Sequence, residues 1–99
     1  MTIMHPDLVE KAKLLSAMAN PVRLKILSII SNEEMRVSEL GERLEISQSA
    51  LSQHLSILRE GGLVLTRREA QSIFYSTRHP GVLKLLRSLR DIYGAPKSE

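Results

Sequence analysis

The 99-residue sequence predicts a mainly α-helical fold that carries one small β-hairpin. The first observation is the spacing of leucine, isoleucine and methionine, which recur every three or four residues over most of the chain, the period of amphipathic helices. The second is that aromatic residues make up only 3% of the chain, so aliphatic side chains must fill the core, as is typical of packed helices. The third is a pair of β-prone runs between residues 63 and 77, which indicates the hairpin.

Two helices are predicted first. The apolar positions of a helix from Asp7 to Met18 keep a helical spacing and are Leu8, Ala12, Leu15 and Met18. Asn20 is a favourable N-cap, and Pro21 suits the first position of the helix that follows. This second helix is apolar over a wide arc, so we expect it to be the central core helix; its apolar residues are Leu24, Ile26, Leu27, Ile29 and Ile30.

A helix-turn-helix is predicted next, after a possible very short strand at residues 35–37. Two helices joined by a short turn form this motif. We expect Ser38 to cap a short helix from Glu39 to Leu44, which a turn at Glu45-Ile46 follows. Ser47 is then expected to cap a longer helix, and Gly61-Gly62 to supply its left-handed C-cap.

A hairpin and a last helix complete the chain. The predicted strands are Leu63 to Arg67 and Ser72 to Thr77, separated by the charged tip Arg68-Glu69-Ala70-Gln71. Pro80 opens a helix that ends near Gly94 and whose apolar residues are Val82, Leu85, Leu86, Leu89, Ile92 and Tyr93. The element order α-α-(short β)-α-α-β-β-α is that of a winged helix-turn-helix, and we expect residues 1–99 to form one domain.

The helix that Ser47 caps is the strongest candidate for a functional surface. At about 100° per residue, Leu51, Leu55 and Leu58 form one stripe, while uncharged amides and hydroxyls lie on the other side. Such groups suit contact with base edges, and the first turns of the second helix enter the groove in helix-turn-helix proteins. The predicted DNA-binding residues of this helix are Ser47, Gln48, Ser49, Ser52, Gln53, His54 and Ser56. For His54, a structural, partly buried role is an equal alternative, because its angle places it beside the leucine stripe.

The hairpin is the second candidate surface. Arg67, Arg68 and Gln71 are predicted to cluster at its tip and to meet phosphate or a narrow minor groove. The alternative is a solvated turn, since Glu69 stands among the arginines. The charge distribution favours a phosphate-binding surface, because residues 1–49 hold six Lys/Arg against seven Asp/Glu, whereas residues 50–99 hold eight against four. Of the adjacent aromatic residues in the second strand, one is expected to pack under the wing.

Several other classes of protein are disfavoured. The chain has no cysteine, which excludes disulfides and thiolate metal sites. Its three histidines lack a chelating partner three or four residues away, and no Gly-rich phosphate loop or Ser-His-Asp set stands out. We therefore predict no enzyme activity, no cofactor and no metal. The sequence lacks a signal peptide and a membrane span, so we expect a cytoplasmic protein without a membrane partner.

The first and last helices each keep an apolar stripe that a small core does not need. This predicts a homodimer through these two helices. Such a dimer presents two recognition helices about 34 Å apart and implies inverted half-sites in the operator. The alternative is a monomer in which the two helices pack on each other.

Several runs of the sequence together resemble the ArsR/SmtB family, small dimeric winged-helix transcriptional repressors of bacteria. The likeness spans roughly residues 14–93, and its runs are 17–24, 47–58, 62–64 and Arg67-Arg68 with Tyr75. The segment from Ser47 to Leu55, with Ala70-Gln71 and residues 91–94, is most similar to the nodulation-repressor and haemolysin-activator branch. The resemblance implies that Gln48, Ser49, Ser52 and Gln53 read the major groove, and that the first and last helices form the dimer.

The chain departs from the family's metal sensors. Where they carry a Cys-Val-Cys-type motif, this chain reads Arg36-Val37-Ser38, and along the last helix Asp91 alone could be a ligand. Members that sense persulfide need two cysteines, which are also missing. The resemblance therefore implies a regulator whose effector, if it has one, is not a thiolate-bound metal.

The leading hypothesis is a homodimeric, sequence-specific regulator that binds double-stranded DNA and represses by occupying a promoter. A winged-helix module that binds protein is one alternative. A sensor with a ligand pocket between the terminal helices is another.

Overall fold

The computed structural model describes residues 5–95. Within that range the chain forms five helices and three strands, and the predicted fold class is confirmed. In chain order the elements are α1 (Pro6–Met18), α2 (Pro21–Asn32), β1 (Met35–Arg36), α3 (Val37–Leu44), α4 (Gln48–Glu60), β2 (Leu65–Glu69), β3 (Ser72–Ser76) and α5 (Pro80–Tyr93).

The core lies around α2, as expected from its wide apolar arc. Ile26 and Leu27 are fully buried, and α2 contacts α1, α4, α5 and β3. The partners of α2 in the core are aliphatic except for one aromatic residue from β3; those from α3, α4, α5 and the α4–β2 connection are Leu40, Leu51, Leu55, Leu58, Leu63 and Val82. The low aromatic content is thus compensated by branched aliphatic side chains that interdigitate between helices.

Four helices, α1, α2, α4 and α5, begin with a side chain that accepts hydrogen bonds from their first amides. The predicted cap at Asn20 is confirmed, because its Oδ1 accepts from the amides of Val22 and Arg23 at 2.9 and 3.1 Å. His79 caps α5 in the same way through Nδ1, and His5 caps α1. These contacts satisfy amides that otherwise have no partner inside the helix.

The predicted start of α3 is wrong. The helix begins at Val37 rather than Glu39, and Ser38 lies inside its first turn instead of capping it. The reason is the pairing of β1 with β3, in which Met35 lies opposite Tyr75 and Arg36 opposite Phe74. Because the strand occupies residues up to Arg36, the helix starts directly after it.

The end of α4 and the start of β2 also differ from the prediction. Gly62, at φ +71°, is the expected left-handed residue. Its amide donates to the Arg59 carbonyl at 2.9 Å, and the Leu63 amide donates to the Leu58 carbonyl at 3.0 Å, a Schellman pair. Leu63 is therefore part of the helix end and is buried, so β2 begins at Leu65.

The hairpin turn is shorter than predicted. Strands β2 and β3 pair from Leu65 opposite Ser76 to Glu69 opposite Ser72, which leaves Ala70 and Gln71 as a two-residue turn. Ala70 adopts φ +55°. The expected four-residue tip is thus wrong, because Arg68 and Glu69 belong to the strand. We call β2, β3 and this turn the wing.

No single helix in the described part of the chain is long and apolar enough to cross a membrane. Helices α1 and α2 reach that length and composition only together, and they are bent by 91° where they meet.

Candidate nucleic-acid interface

Helix α4 has the two sides that its sequence predicts. Ser47 caps it, accepting a hydrogen bond from the Ala50 amide at 3.1 Å. Leu51, Leu55 and Leu58 are buried against the core. The opposite side is uncharged and exposed over its first two turns; the exposed residues there are Gln48, Ser49, Ser52 and Gln53. Ser56, one turn further on, is half-buried.

The turn before α4 sets the angle of the helix. Glu45 adopts a left-handed conformation at φ +53° although it is not glycine. Gly41 of α3 lies close to α4, since a Cβ at this position would be 3.5 Å from a Leu51 methyl group. The two helices of the motif therefore pack closely at this point, while Gln48 and Ser49 in the first turn of α4 remain exposed.

His54 takes part in a contact inside the protein. Its Nδ1 lies 3.3 Å from Nη1 of Arg23 on α2. The Arg23 Nε also donates to the Ala17 carbonyl at 2.6 Å, and its Nη2 donates to the Ser16 carbonyl at 3.3 Å. Arg23 thus joins the end of α1 to α4, and this contact supports the structural alternative for His54. Sequence reasoning missed Arg23, because nothing in its spacing distinguishes it from a solvated arginine.

The wing does not bring its two arginines together. In the strand pairing, Arg67 lies opposite Phe74 and Arg68 lies opposite Ile73. Neighbouring residues of a strand point to opposite faces of the sheet. Arg67 and Arg68 therefore face in opposite directions, and Gln71 lies in the turn beyond them.

Arg67 is bound by two carboxylates. Its Nε and Nη2 donate to Glu34 at 3.0 and 2.7 Å, and its Nη1 donates to Glu69 at 2.6 Å. The hydrogen bond from Arg67 lowers the pKa of Glu34 below its ordinary value. The hydrogen bonds to Glu34 and then to Glu69 raise the pKa of Arg67. We call Glu34, Arg67 and Glu69 the wing clamp; it holds one positive and two negative charges.

A cleft separates the wing from the helix-turn-helix. It has a volume of about 570 Å³, and both Gln48 and Gln71 line it. Ile73 also lines the cleft, so the face of the wing that carries Ile73 and Arg68 is turned toward α3 and the start of α4. Two predicted site residues from distant parts of the chain therefore meet at one surface.

One aromatic residue packs under the wing, as expected, and it is Tyr75. Its side chain is buried, and its hydroxyl accepts a hydrogen bond from Nη1 of Arg59 at the end of α4. This contact joins the wing to the recognition helix. Sequence reasoning missed Arg59, which it counted only as part of the basic excess.

Apolar side chains remain exposed on the terminal helices. Leu15 of α1 is 54% exposed, and Ile92 and Tyr93 of α5 are 68% and 82% exposed. Leu8 and Val9 extend this surface along α1. The expectation that these helices keep unburied apolar faces is confirmed.

Comparison with known proteins shows what this arrangement is similar to. The family model described as "Bacterial regulatory protein, arsR family" matches residues 20–66, from the cap of α2 into β2. Nodulation protein NolR of Rhizobium meliloti is 56% identical over 90 residues, which cover 91% of this chain and 74% of NolR. This chain belongs to the ArsR family.

Other relatives of this ArsR-family chain also carry the names of transcriptional regulators. Transcriptional activator HlyU of Vibrio cholerae is 51% identical over 80 residues, which cover 81% of this chain and 74% of HlyU. A biofilm growth-associated repressor of Agrobacterium fabrum is 42% identical over 88 residues, with coverage of 89% and 75%. The crystal structure of NolR from Sinorhizobium fredii matches with a TM-score of 0.88 at 49% identity, covering 97% of this chain and 100% of that one.

These matches confirm the predicted family and its branch. The protein is therefore an ArsR-family, helix-turn-helix transcriptional regulator that binds DNA. Its relatives are regulators rather than enzymes. Within residues 5–95, no three His, Asp or Glu side chains are close enough together to hold a metal ion.

Proposed function

We propose that this ArsR-family regulator binds an inverted-repeat operator as a homodimer and represses transcription by occupying a promoter in the cytoplasm. The observation that carries the proposal is the uncharged, exposed side of α4 above a buried leucine stripe. Glutamine can form two hydrogen bonds to one adenine, and serine can donate or accept, so these side chains can distinguish base pairs in the major groove.

The residues that we assign to base reading are Gln48, Ser49, Ser52 and Gln53, flanked by Ser47 and Ser56. Gln71 and Arg68 of the wing are assigned to the backbone or minor groove on the far side of the cleft. Within the described chain Arg68 forms no ion pair, so its charge is available to phosphate. His54 and Arg67 are omitted from the contact set, because each already contacts another side chain of the same chain.

The dimer is proposed from the apolar surface on α1 and α5. Leu8, Leu15, Ile92 and Tyr93 are all more than half exposed in the single chain. Pairing these faces about a two-fold axis would bury them and would present two α4 helices to successive major grooves. The relatives include one named an activator and one named a repressor. We propose repression for this chain, because a repressor that occupies a promoter needs no contact beyond operator binding.

Selection of bound duplexes from a random pool tests the proposal, since it reports binding, symmetry and half-site spacing together.

In the selected duplex, Gln53→Ala should weaken binding by about 1–3 kcal/mol per lost bidentate contact while leaving binding to random duplex unchanged. Arg68→Ala is the contrasting variant, because it should weaken all sequences alike and reduce the salt slope by about 1. An unchanged ratio of selected to random binding in Gln53→Ala would refute the assignment of α4. Absence of duplex binding at low salt would instead favour a module that binds protein.

A further inference from the structure

A row of three side chains crosses the sheet on the face opposite to that of Ile73. Arg36 of β1 and Arg67 of β2 both lie opposite Phe74 of the central strand β3. The Arg67 guanidinium carbon is 4.6 Å from the centre of the Phe74 ring, and that of Arg36 is 5.8 Å from it. Both distances are within the range of a cation–π contact. The Arg67 guanidinium is thus placed on the aromatic ring as well as between two carboxylates.

Of the two carboxylate partners of Arg67, only Glu34 can link the wing to the rest of the fold, because Glu69 belongs to the wing itself. Glu34 stands in the segment between α2 and β1, and its two oxygens meet Nε and Nη2 of Arg67. This two-point contact matches the planar, fixed geometry of a guanidinium, which a lysine ammonium cannot reproduce. The contact therefore ties a particular residue of β2 to the body of the fold in one orientation.

Strand β2 needs such a tie. It is an edge strand that pairs only with β3 in the described sheet, and all five of its residues are exposed. Among residues 5–95, Arg67–Glu34 is the ion pair that joins β2 to a residue outside the wing. Because β2 is rigidly paired with β3, fixing Arg67 on one face also fixes the direction of Arg68 on the other.

We propose that Arg67 is a positioning residue for DNA binding. Through Glu34 it sets the angle of the wing relative to α4, and it does not itself contact phosphate, a role that falls to Arg68. This inference rests on the proposed operator binding and specifies how the wing takes part in it. A contact role for Arg67 and a positioning role predict opposite results when its carboxylate partner is removed.

The experiment compares the wild-type protein with Glu34→Gln, Arg67→Lys and Arg67→Ala on the selected duplex over a range of salt concentrations. Glu33→Gln is the matched control, since this exposed neighbour makes the same change in net charge without touching Arg67. A positioning role predicts that Glu34→Gln binds the duplex roughly two- to fivefold more weakly than Glu33→Gln, with an unchanged salt slope. The reason is that DNA binds only those molecules whose wing is held in the orientation set by the Arg67–Glu34 contact, here called the docked wing. It also predicts that Arg67→Lys binds as weakly as Arg67→Ala.

A phosphate contact predicts the reverse pattern. Releasing Arg67 from Glu34 would tighten binding beyond that of Glu33→Gln, Arg67→Lys would bind nearly as well as the wild type, and Arg67→Ala would lower the salt slope by about 1. Any of these three results overturns the proposal.

Amide hydrogen exchange without DNA provides a readout that does not depend on the proposed function. The β2 and β3 amides should exchange faster in Glu34→Gln and Arg67→Lys than in Glu33→Gln, because the undocked wing opens more often. Unchanged exchange in both variants would also overturn the inference. If the wild-type protein binds no duplex, the proposed function fails, and the exchange experiment alone decides whether the clamp positions the wing.

Discussion

Asn20 illustrates how a single side chain determines local structure in this protein. Its Oδ1 accepts from two amides of α2, the helix at the centre of the core. The same residue lies at the sharp bend between α1 and α2. A lost cap at this position would therefore leave two donors of the central helix without a partner.

We predict that Asn20→Ala lowers the free energy of unfolding by about 1 kcal/mol, the usual cost of removing a helix cap. Urea unfolding followed by far-ultraviolet circular dichroism measures this loss. Asn32→Ala is a matched control at the other end of α2, where the exposed side chain donates a single bond to the Ser28 carbonyl. The interpretation of Asn20 as a cap fails if the two variants lose the same stability.

The different environments of Arg67 and Arg68 could not be predicted from the sequence. They are adjacent and of the same type, so composition and spacing assign both to the wing surface. Their difference depends on strand register and on Glu34, which is 33 residues earlier in the chain. The candidate residues on α4 could be predicted because helical periodicity alone separates its two sides. Three contacts could not be predicted, because the two partners are far apart in the chain; they are Arg67–Glu34, Arg23–His54 and Arg59–Tyr75.

At the scale of elements, the order of helices and strands was predictable, but three connections were not; these lie between β1 and α3, between α4 and β2, and between β2 and β3. Proline and capping residues mark the starts of α2, α4 and α5 in the sequence, so these boundaries agree with the prediction. The two-residue turn of the wing was missed because Ala70, unlike glycine or asparagine, carries no turn signal. Its left-handed conformation is imposed by the pairing of β2 with β3 on either side.

The conformation of Ala70 leads to a prediction about stability. Glycine adopts φ +55° without the steric cost of about 1–2 kcal/mol that an L side chain incurs, although it loses more chain entropy on folding. We expect Ala70→Gly to raise the free energy of unfolding by roughly 0.5 kcal/mol. Ala12→Gly is the same substitution at an exposed position of helix α1, and it should lower stability by about 1 kcal/mol. Thermal unfolding of both variants shows whether stability rises with Ala70→Gly and falls with Ala12→Gly. Lower stability in both variants would contradict the prediction.

At the scale of the whole molecule, the exposed apolar faces of α1 and α5 are the surfaces through which we propose that two subunits pair. They lie on the first and last helices, whereas the recognition helix and the wing lie between them in the chain. Arg23 provides a direct physical link from α1 to α4 through His54. In the proposed dimer, assembly and DNA reading therefore involve different surfaces that a hydrogen-bonded arginine connects.

We predict that Leu15→Glu shifts the protein from dimer to monomer without loss of helix content, because this side chain is exposed in the single chain and its burial would occur only on pairing. Sedimentation velocity measures the shift. Leu65→Glu is the matched control, since Leu65 of β2 has the same exposure of 54% but lies on the wing. Dimers of equal stability in both variants would rule out α1 as part of the interface.

The two tyrosines of the chain differ in one further way that has a practical consequence. The protein contains no tryptophan, so its intrinsic emission comes from Tyr75 and Tyr93 alone. The first ring is 3% exposed and hydrogen-bonded beneath the wing, whereas the second is 82% exposed at the end of α5. Dissolved iodide reaches an exposed phenol far more readily than an enclosed one, so collisional quenching reports selectively on Tyr93. The molecule thus carries a native optical probe at its terminal helix, and the proposed association of subunits can be tested without attaching a dye.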